Sequence, residues 1–204
     1  MITWVRPPNL LKKIYSDSIW RCWFKQNILF SFDDGPSLNS LSLLDLALQM
    51  NVKFAFFILP ERALKYPYIV KRMVDEGHII GTHFMLHENH FFYSKKNFID
   101  SLNKSIDEIQ KITQHTIKYC RVPYGLLAPW QDWWIAESDY EHVFWSLDGQ
   151  DYKNEGKEII INRIKQNIKI GDIILLHDWD IQNSVTVEIV NECLTHSNKA
   201  LKYI

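Results

Sequence analysis

Apolar runs at residues 28–32, 54–59, 78–82, 116–120, 142–147 and 172–176 read as short strands covered on both faces. Between them lie stretches with helical spacing at 39–50, 68–76, 95–113, 130–138, 158–168 and 185–196. The longest is the clearest, with Phe98, Leu102, Ile106, Ile109 and Thr113 on one stripe. Gly77 and Gly171 stand where a left-handed residue is expected to stop a helix before the next strand. Residues 200–204 supply a candidate seventh strand.

Strands that alternate with helices predict βα units and a parallel sheet. Right-handed crossovers then leave two solutions, an open doubly wound sheet or a barrel. Seven strands rather than eight favour an α/β fold of the distorted or incomplete parallel (β/α)7 barrel type, spanning residues 28–204. Residues 1–27 stand apart, aromatic and basic, with Trp4, Trp20, Trp23, Arg6, Lys12 and Lys13. This N-terminal segment is expected to pack on the barrel or close one end of it. Its mixture of Trp with Lys and Arg makes contact with a membrane surface a secondary expectation.

At 204 residues and 47% hydrophobic content, the chain is long enough for one core without disulfides. A net charge of −1 without a Lys/Arg cluster speaks against a nucleic acid as partner. Cys22, Cys120 and Cys193 show no CxxC spacing and leave one unpaired, the usage of a reducing compartment. The first residues lack the apolar core of a secretory signal, and no run approaches the ~18–20 apolar residues that span a bilayer. A soluble, cytoplasmic protein is the expectation.

The chemistry-bearing residues all fall just after predicted strands: Asp33 and Asp34, His83 and His87, Arg121, Asp148 and Asp151, and His177. In parallel barrels that end of the strands is where side chains from distant positions converge on a substrate. His83 and His87, four apart, can aim two imidazoles at one point. Phe84 rather than Glu follows the first, so this is not an HExxH site and a base must come from elsewhere. Asp33-Asp34 can provide it, because adjacent side chains at a strand end diverge and Gly35-Pro36 then turns the chain. One carboxylate can bind a metal while its neighbour faces the substrate. Two His and one carboxylate with open positions form a catalytic rather than a structural set.

Five motifs in order carry a resemblance: Ser31-Phe32-Asp33-Asp34-Gly35-Pro36, His83 with His87, Arg121-Val122-Pro123-Tyr124-Gly125, Asp148 with Asp151, and Leu175-Leu176-His177. From about residue 28 onward the chain resembles the NodB-type polysaccharide deacetylases, carbohydrate esterase family 4. The resemblance implies a divalent cation, Zn²⁺ first and Co²⁺, Mn²⁺ or Ni²⁺ as alternatives, held by Asp34, His83 and His87. It implies Asp33 as general base; Arg121 is expected to pair with it, since a nearby cation keeps a carboxylate ionised, and His177 to protonate the leaving amine. Asp148, preferred over Asp151, is expected to orient His177 or Arg121. The backbone N–H of Tyr124 is the implied oxyanion donor, and Leu175 and Trp179 are expected on the substrate. Trp130, Trp133 and Trp134 are read as core residues before sugar platforms.

Two positions depart from the family pattern. Phe84 stands where a Ser or Thr is usual, and Tyr152 where the fourth motif usually ends in Trp. The expected substrate is an N-acetylated carbohydrate of a polysaccharide or glycoconjugate, with acetate released. Alternatives are a deformylase or deacetylase of a lipid- or nucleotide-linked sugar, and a catalytically idle carbohydrate-binding relative. A dinuclear phosphoesterase would need more bridging ligands than the sequence offers.

Overall fold

The computed structural model describes residues 4–204 except 25, 154, 179–184 and 196–200. Its strands are β1 (Asn27–Asp33), β2 (Ala55–Ile58), β3 (Ile79–Thr82), β4 (Tyr119–Cys120), β5 (Glu141–His142), β6 (Leu147–Asp148), β7 (Ile173–His177) and β8 (Lys202–Tyr203). All pair in parallel, in the order β5-β4-β3-β2-β1-β7-β6, with β8 added beside the first residues of β1. The helices are α1 (Asn9–Ile14), α2 (Asn39–Met50), α3 (Pro60–Lys65), α4 (Pro67–Asp75), α5 (Lys95–Thr113), α6 (Pro129–Ala136), α7 (Lys157–Asn167) and α8 (Thr186–Thr195). The result is a curled, incomplete parallel β/α barrel, as the alternation of patterns predicts.

Period-two alternation explains how the sheet carries both a core and a site. On β1, Phe30 and Phe32 face the helices while Leu29 packs in a smaller cluster inside the barrel with Ala55, Phe57, Val143 and Ile173. The same alternation carries Ser31 and then Asp33 up the inner row above Leu29. On β7, Ile174 and Leu176 join the helix-facing core and Ile173 the inner cluster, so Leu175 and His177 continue its row. Each inner row is apolar at the bottom and polar at the carboxyl end. The predicted stripe of α5 is buried throughout, joined by Ser105. Gly77 (φ 75°) and Gly171 (φ 81°) are left-handed.

One expected strand divides in two. Residues 142–147 do not form a single strand: β5 and β6 lie at opposite edges of the sheet, and residues 143–146 cross the gap between them. The cause is Arg121. Its Nε donates to the Val143 carbonyl at 2.9 Å and its Nη2 to that of Phe144 at 3.2 Å, occupying acceptors a strand neighbour would use. The apolar run conceals this break because its side chains stay buried on both sides of it. Helices α1 and α3 have no counterpart among the predicted stretches. Pro60 at the first position of α3 is its signal, as Pro67 is for the start of α4, since the ring fixes a helical φ where no N–H is needed.

The N-terminal segment fills that gap. Ile19 bridges Val143, with Ile19 N donating to the His142 carbonyl and Phe144 N to that of Ile19, both at 2.8 Å. Trp20 stacks on Phe144 with centroids 4.2 Å apart. Arg6 forks onto buried Asp172 at 2.8 and 2.9 Å. Ser18 bonds Asp132 and lies 2.8 Å from Nδ1 of His142, whose Nε2 accepts from Val122 N at 3.3 Å. That acceptance fixes the tautomer, making this chain a structural pin and not a nucleophile with its base. All three cysteines are buried and unpaired. Among the described residues no helix is long and apolar enough to cross a membrane.

Candidate active site

Among the described residues, six non-glycine positions have positive φ. Asn51 and Gln114 are left-handed helix caps, which is ordinary. The other four, Asp34 (φ 69°), Phe84 (66°), Tyr124 (61°) and Gln150 (58°), fall one in each of the first four motif loops. Backbone conformations that cost energy gather where loops aim side chains at one place. Here that place is the carboxyl end of the strands.

The kink at Asp34 separates the two carboxylates. Asp33 ends β1 and is held by Arg121, whose Nη1 donates to its Oδ1 at 2.7 Å and to Ser31 Oγ at 3.1 Å. Arg121 is fully buried, its guanidinium 3.9 Å above the Phe57 ring. It does not line the pocket and meets it only through its bond to Asp33. Asp34 turns the other way: its Oδ1 lies 3.2 Å from His87 Nε2 and 3.6 Å from His83 Nε2.

These three donors test the expected metal. Ligand atoms from the three residues all lie within 4.8 Å of one another. Donors about 2.1 Å from a tetrahedral ion would be spaced about 3.4 Å apart, which the 3.2 and 3.6 Å separations bracket. Burial first of all lowers the pKa of His83, against the pull of Asp33 and Asp34, so the neutral ligating form is favoured. The residues therefore fit a divalent cation, and one oxygen with two nitrogens is a borderline donor set suited to zinc.

Phe84 explains one departure from the family pattern. It is fully buried, 5.1 Å from Phe98 and 4.7 Å from His90 between ring centroids, so apolar packing anchors the loop between the two histidines. Tyr124 covers His87 edge-on at 4.4 Å. Gly125 is required beneath it, since an added Cβ would come 2.6 Å from the Trp145 ring.

The fourth motif corrects an assignment. Asp151, not Asp148, holds His177: Oδ1 lies 2.8 Å from His177 Nδ1, and Oδ2 accepts the His177 backbone N–H at 2.8 Å. Asp148 instead accepts from Gln150 N at 2.8 Å and from the Tyr152 hydroxyl at 3.1 Å. The three-residue spacing carries Asp151 off the strand into a short helical turn that faces β7, which spacing alone does not reveal. Burial pushes Asp148 up to about 6, against those two hydrogen bonds. Burial would lower His177, but the charge and hydrogen bond of Asp151, with Asp33 and Asp34, push it up to about 9. Asp178, next to His177, braces the loop after β1: Ser37 Oγ donates to it at 2.7 Å, and Ser40 Oγ bonds it as well.

Asp33 and His177 are register partners on neighbouring strands. With Asp34, His83, His87, Tyr124, Asp148, Tyr152 and Leu175 they line a cavity of about 120 Å³. Trp179 lies outside the described residues. Trp130 and Trp133 are half-exposed on α6 and do not line this cavity.

The polysaccharide deacetylase family profile matches residues 24–137, more than half of the chain. The chain belongs to the polysaccharide deacetylase family. Two peptidoglycan-N-acetylglucosamine deacetylases of Bacillus cereus are similar to this deacetylase-family chain. One is 35% identical over 154 residues, covering 75% of this chain and 56% of the relative. The other is 32% identical over 200 residues, covering 93% and 92%. A solved peptidoglycan N-acetylglucosamine deacetylase in complex with 4-naphthalen-1-yl-N-oxidanyl-benzamide superposes with a TM-score of 0.84 at 30% identity, over 97% of this chain and 94% of that one. A pseudoenzyme of the same family from Bacillus anthracis has a TM-score of 0.78 at 21% identity, over 87% of this chain and 63% of that one. A shared fold therefore does not by itself confer activity, which depends on the side chains at the site.

Proposed function

We propose that this chain is a metal-dependent hydrolase that removes acetyl groups from N-acetylglucosamine units of a glycan of the peptidoglycan or chitin type. The observation that carries the reading is one pocket holding an arginine-fixed carboxylate, a two-His-one-Asp metal set and a histidine charged by its own aspartate. The names of the B. cereus relatives support the choice of sugar.

A cation held by Asp34, His83 and His87 would supply Lewis acidity for water and for the acyl oxygen. The chain's own groups do the rest. Asp33 accepts the proton of the attacking water, and Arg121 keeps Oδ1 in place so that Oδ2 faces His83 and the pocket. The water oxygen adds to the acyl carbon. With Nδ1 on Asp151, His177 gives its Nε2 proton to the departing nitrogen as the C–N bond breaks. An amine leaves where an amide anion would not, and acetate remains. The charge and hydrogen bond of Asp151 favour the imidazolium of His177, the form that has this proton to give. The left-handed turn at Tyr124 offers a backbone N–H for the oxyanion.

The test is acetate release from N-acetylglucosamine oligomers and peptidoglycan fragments by zinc-loaded protein. Asp33→Asn should lower turnover by about 10²–10⁴ with bound zinc unchanged, as for a lost general base. Near-wild-type rates in that variant would sink the assignment.

A further inference from the structure

Beside the catalytic pocket runs a second, smaller cavity of about 50 Å³. Trp4, Leu11 and Trp20 of the N-terminal segment form one side of it, and Tyr124, Gly125 and Trp145 form the other. Those last three also wall the catalytic pocket, so the two spaces adjoin. Trp20 is committed to the core, stacked on Phe144 and 8% exposed. Trp4 is not: 44% of it is exposed.

An isolated exposed aromatic residue needs no explanation. Trp4 differs because the backbone beside it is fixed, and fixed to the site. The carbonyl of the next residue, Val5, accepts the N–H of Asp148 at 2.8 Å, and Asp148 lines the catalytic pocket. Arg6 then makes its two bonds to Asp172 and a third to the Asn167 carbonyl at 2.9 Å. A segment held this firmly could bury its indole if packing were its only task. The walls carry no charged side chain, which suits a neutral ligand. Flat aromatic faces offer dispersion to the C–H face of a sugar ring.

We propose that the N-terminal segment builds a second subsite of the cleft, in which Trp4 stacks on the neutral pyranose bonded to the sugar being deacetylated. This rests on the deacetylase reading and narrows it, since the enzyme would prefer oligomers to single sugars. A sugar whose acetamido group sits between Asp33 and His177 would have its chain neighbour toward the mouth of the pocket, and the Tyr124–Gly125 wall shared by both cavities runs from there to Trp4.

Calorimetric titration of the full chain in EDTA, where no turnover occurs, tests this with N-acetylglucosamine and its pentamer. Trp4→Ala should weaken pentamer binding about tenfold and single-sugar binding less than twofold, and Trp4→Phe should recover most of the loss. With zinc present, the same variants should lose the rise of kcat/KM with chain length, mainly through KM. Equal losses on both ligands, or no loss on the pentamer, would overturn the subsite. So would Trp4-dependent binding of an octyl glycoside of N-acetylglucosamine with a Trp4-independent pentamer, because the groove would then hold an alkyl chain. Trp4-dependent pentamer binding without any acetate release by the zinc protein would support the subsite and sink the deacetylase reading. Acetate release with Trp4-independent affinities would do the reverse.

Discussion

Asp151→Asn removes one negative charge and an acceptor while nearly preserving shape, so it isolates what Asp151 does to His177. The imidazole titrates at about 9 instead of 6.5, a net stabilisation of the charged ring by roughly 3 kcal/mol. Burial works against that rise, and Asp151 is the leading group that outweighs it. Without it the ring should fall back to its ordinary 6.5 or lower. At pH 7.5 the ratio of imidazolium to imidazole would then drop from about 30:1 to about 1:10. In metal-stripped protein this is read directly from NMR titration of the His177 ring, identified by its absence in His177→Gln. In zinc-loaded protein the alkaline limb of kcat/KM should move down and turnover at pH 7.5 should fall by one to three orders of magnitude, about the contribution of a general acid. An unmoved ring titration, or an unmoved alkaline limb, would refute the pairing. The parallel variant Asp148→Asn should move the ring far less, because Asp148 binds Gln150 and Tyr152 instead.

Arg121→Met should cost about 3–5 kcal/mol, because Asp33, Ser31 and two carbonyls lose a buried partner. At roughly 2–4 °C per kcal/mol this is a Tm drop near 10 °C by calorimetry, and a fall below 2 °C would contradict it. His142 and His78 are buried, which pushes them down to about 3 and about 4 from 6.5. Because the folded values lie below the unfolded one, the stability they confer is whole above pH 6.5 and drains away as pH falls toward 4. Urea midpoints should therefore drop between pH 7.5 and 5, less steeply in His142→Gln, and equal slopes would count against this. Zinc added to EDTA-treated protein should raise Tm, since a ligand of the folded state stabilises it by mass action. His83→Ala should abolish that rise, and a persisting rise would place the ion elsewhere.

Much of this molecule is written in its one-dimensional pattern. Alternation of apolar runs with helical stripes determined the parallel β/α architecture, because both periods follow from local geometry that tertiary contacts seldom reverse. The same periodicity put Asp33, His83, Arg121, Asp148 and His177 at strand ends, and with them the neighbourhood of the site. Tertiary structure alone decided which aspartate meets His177. That choice depends on a helical turn after β6 facing β7, a relation between residues 26 apart in sequence. It decided that residues 142–147 break into two strands, because the competitor for their carbonyls is Arg121, a side chain distant in sequence. It also decided what residues 4–24 do. A Trp- and Lys-rich composition cannot distinguish a surface coat from a plug, whereas the Ile19 bridge, the Trp20 stack and the Arg6–Asp172 fork close the barrel where its own strands fall short. Local patterns name the parts, and long-range pairings that no local pattern encodes choose the partners.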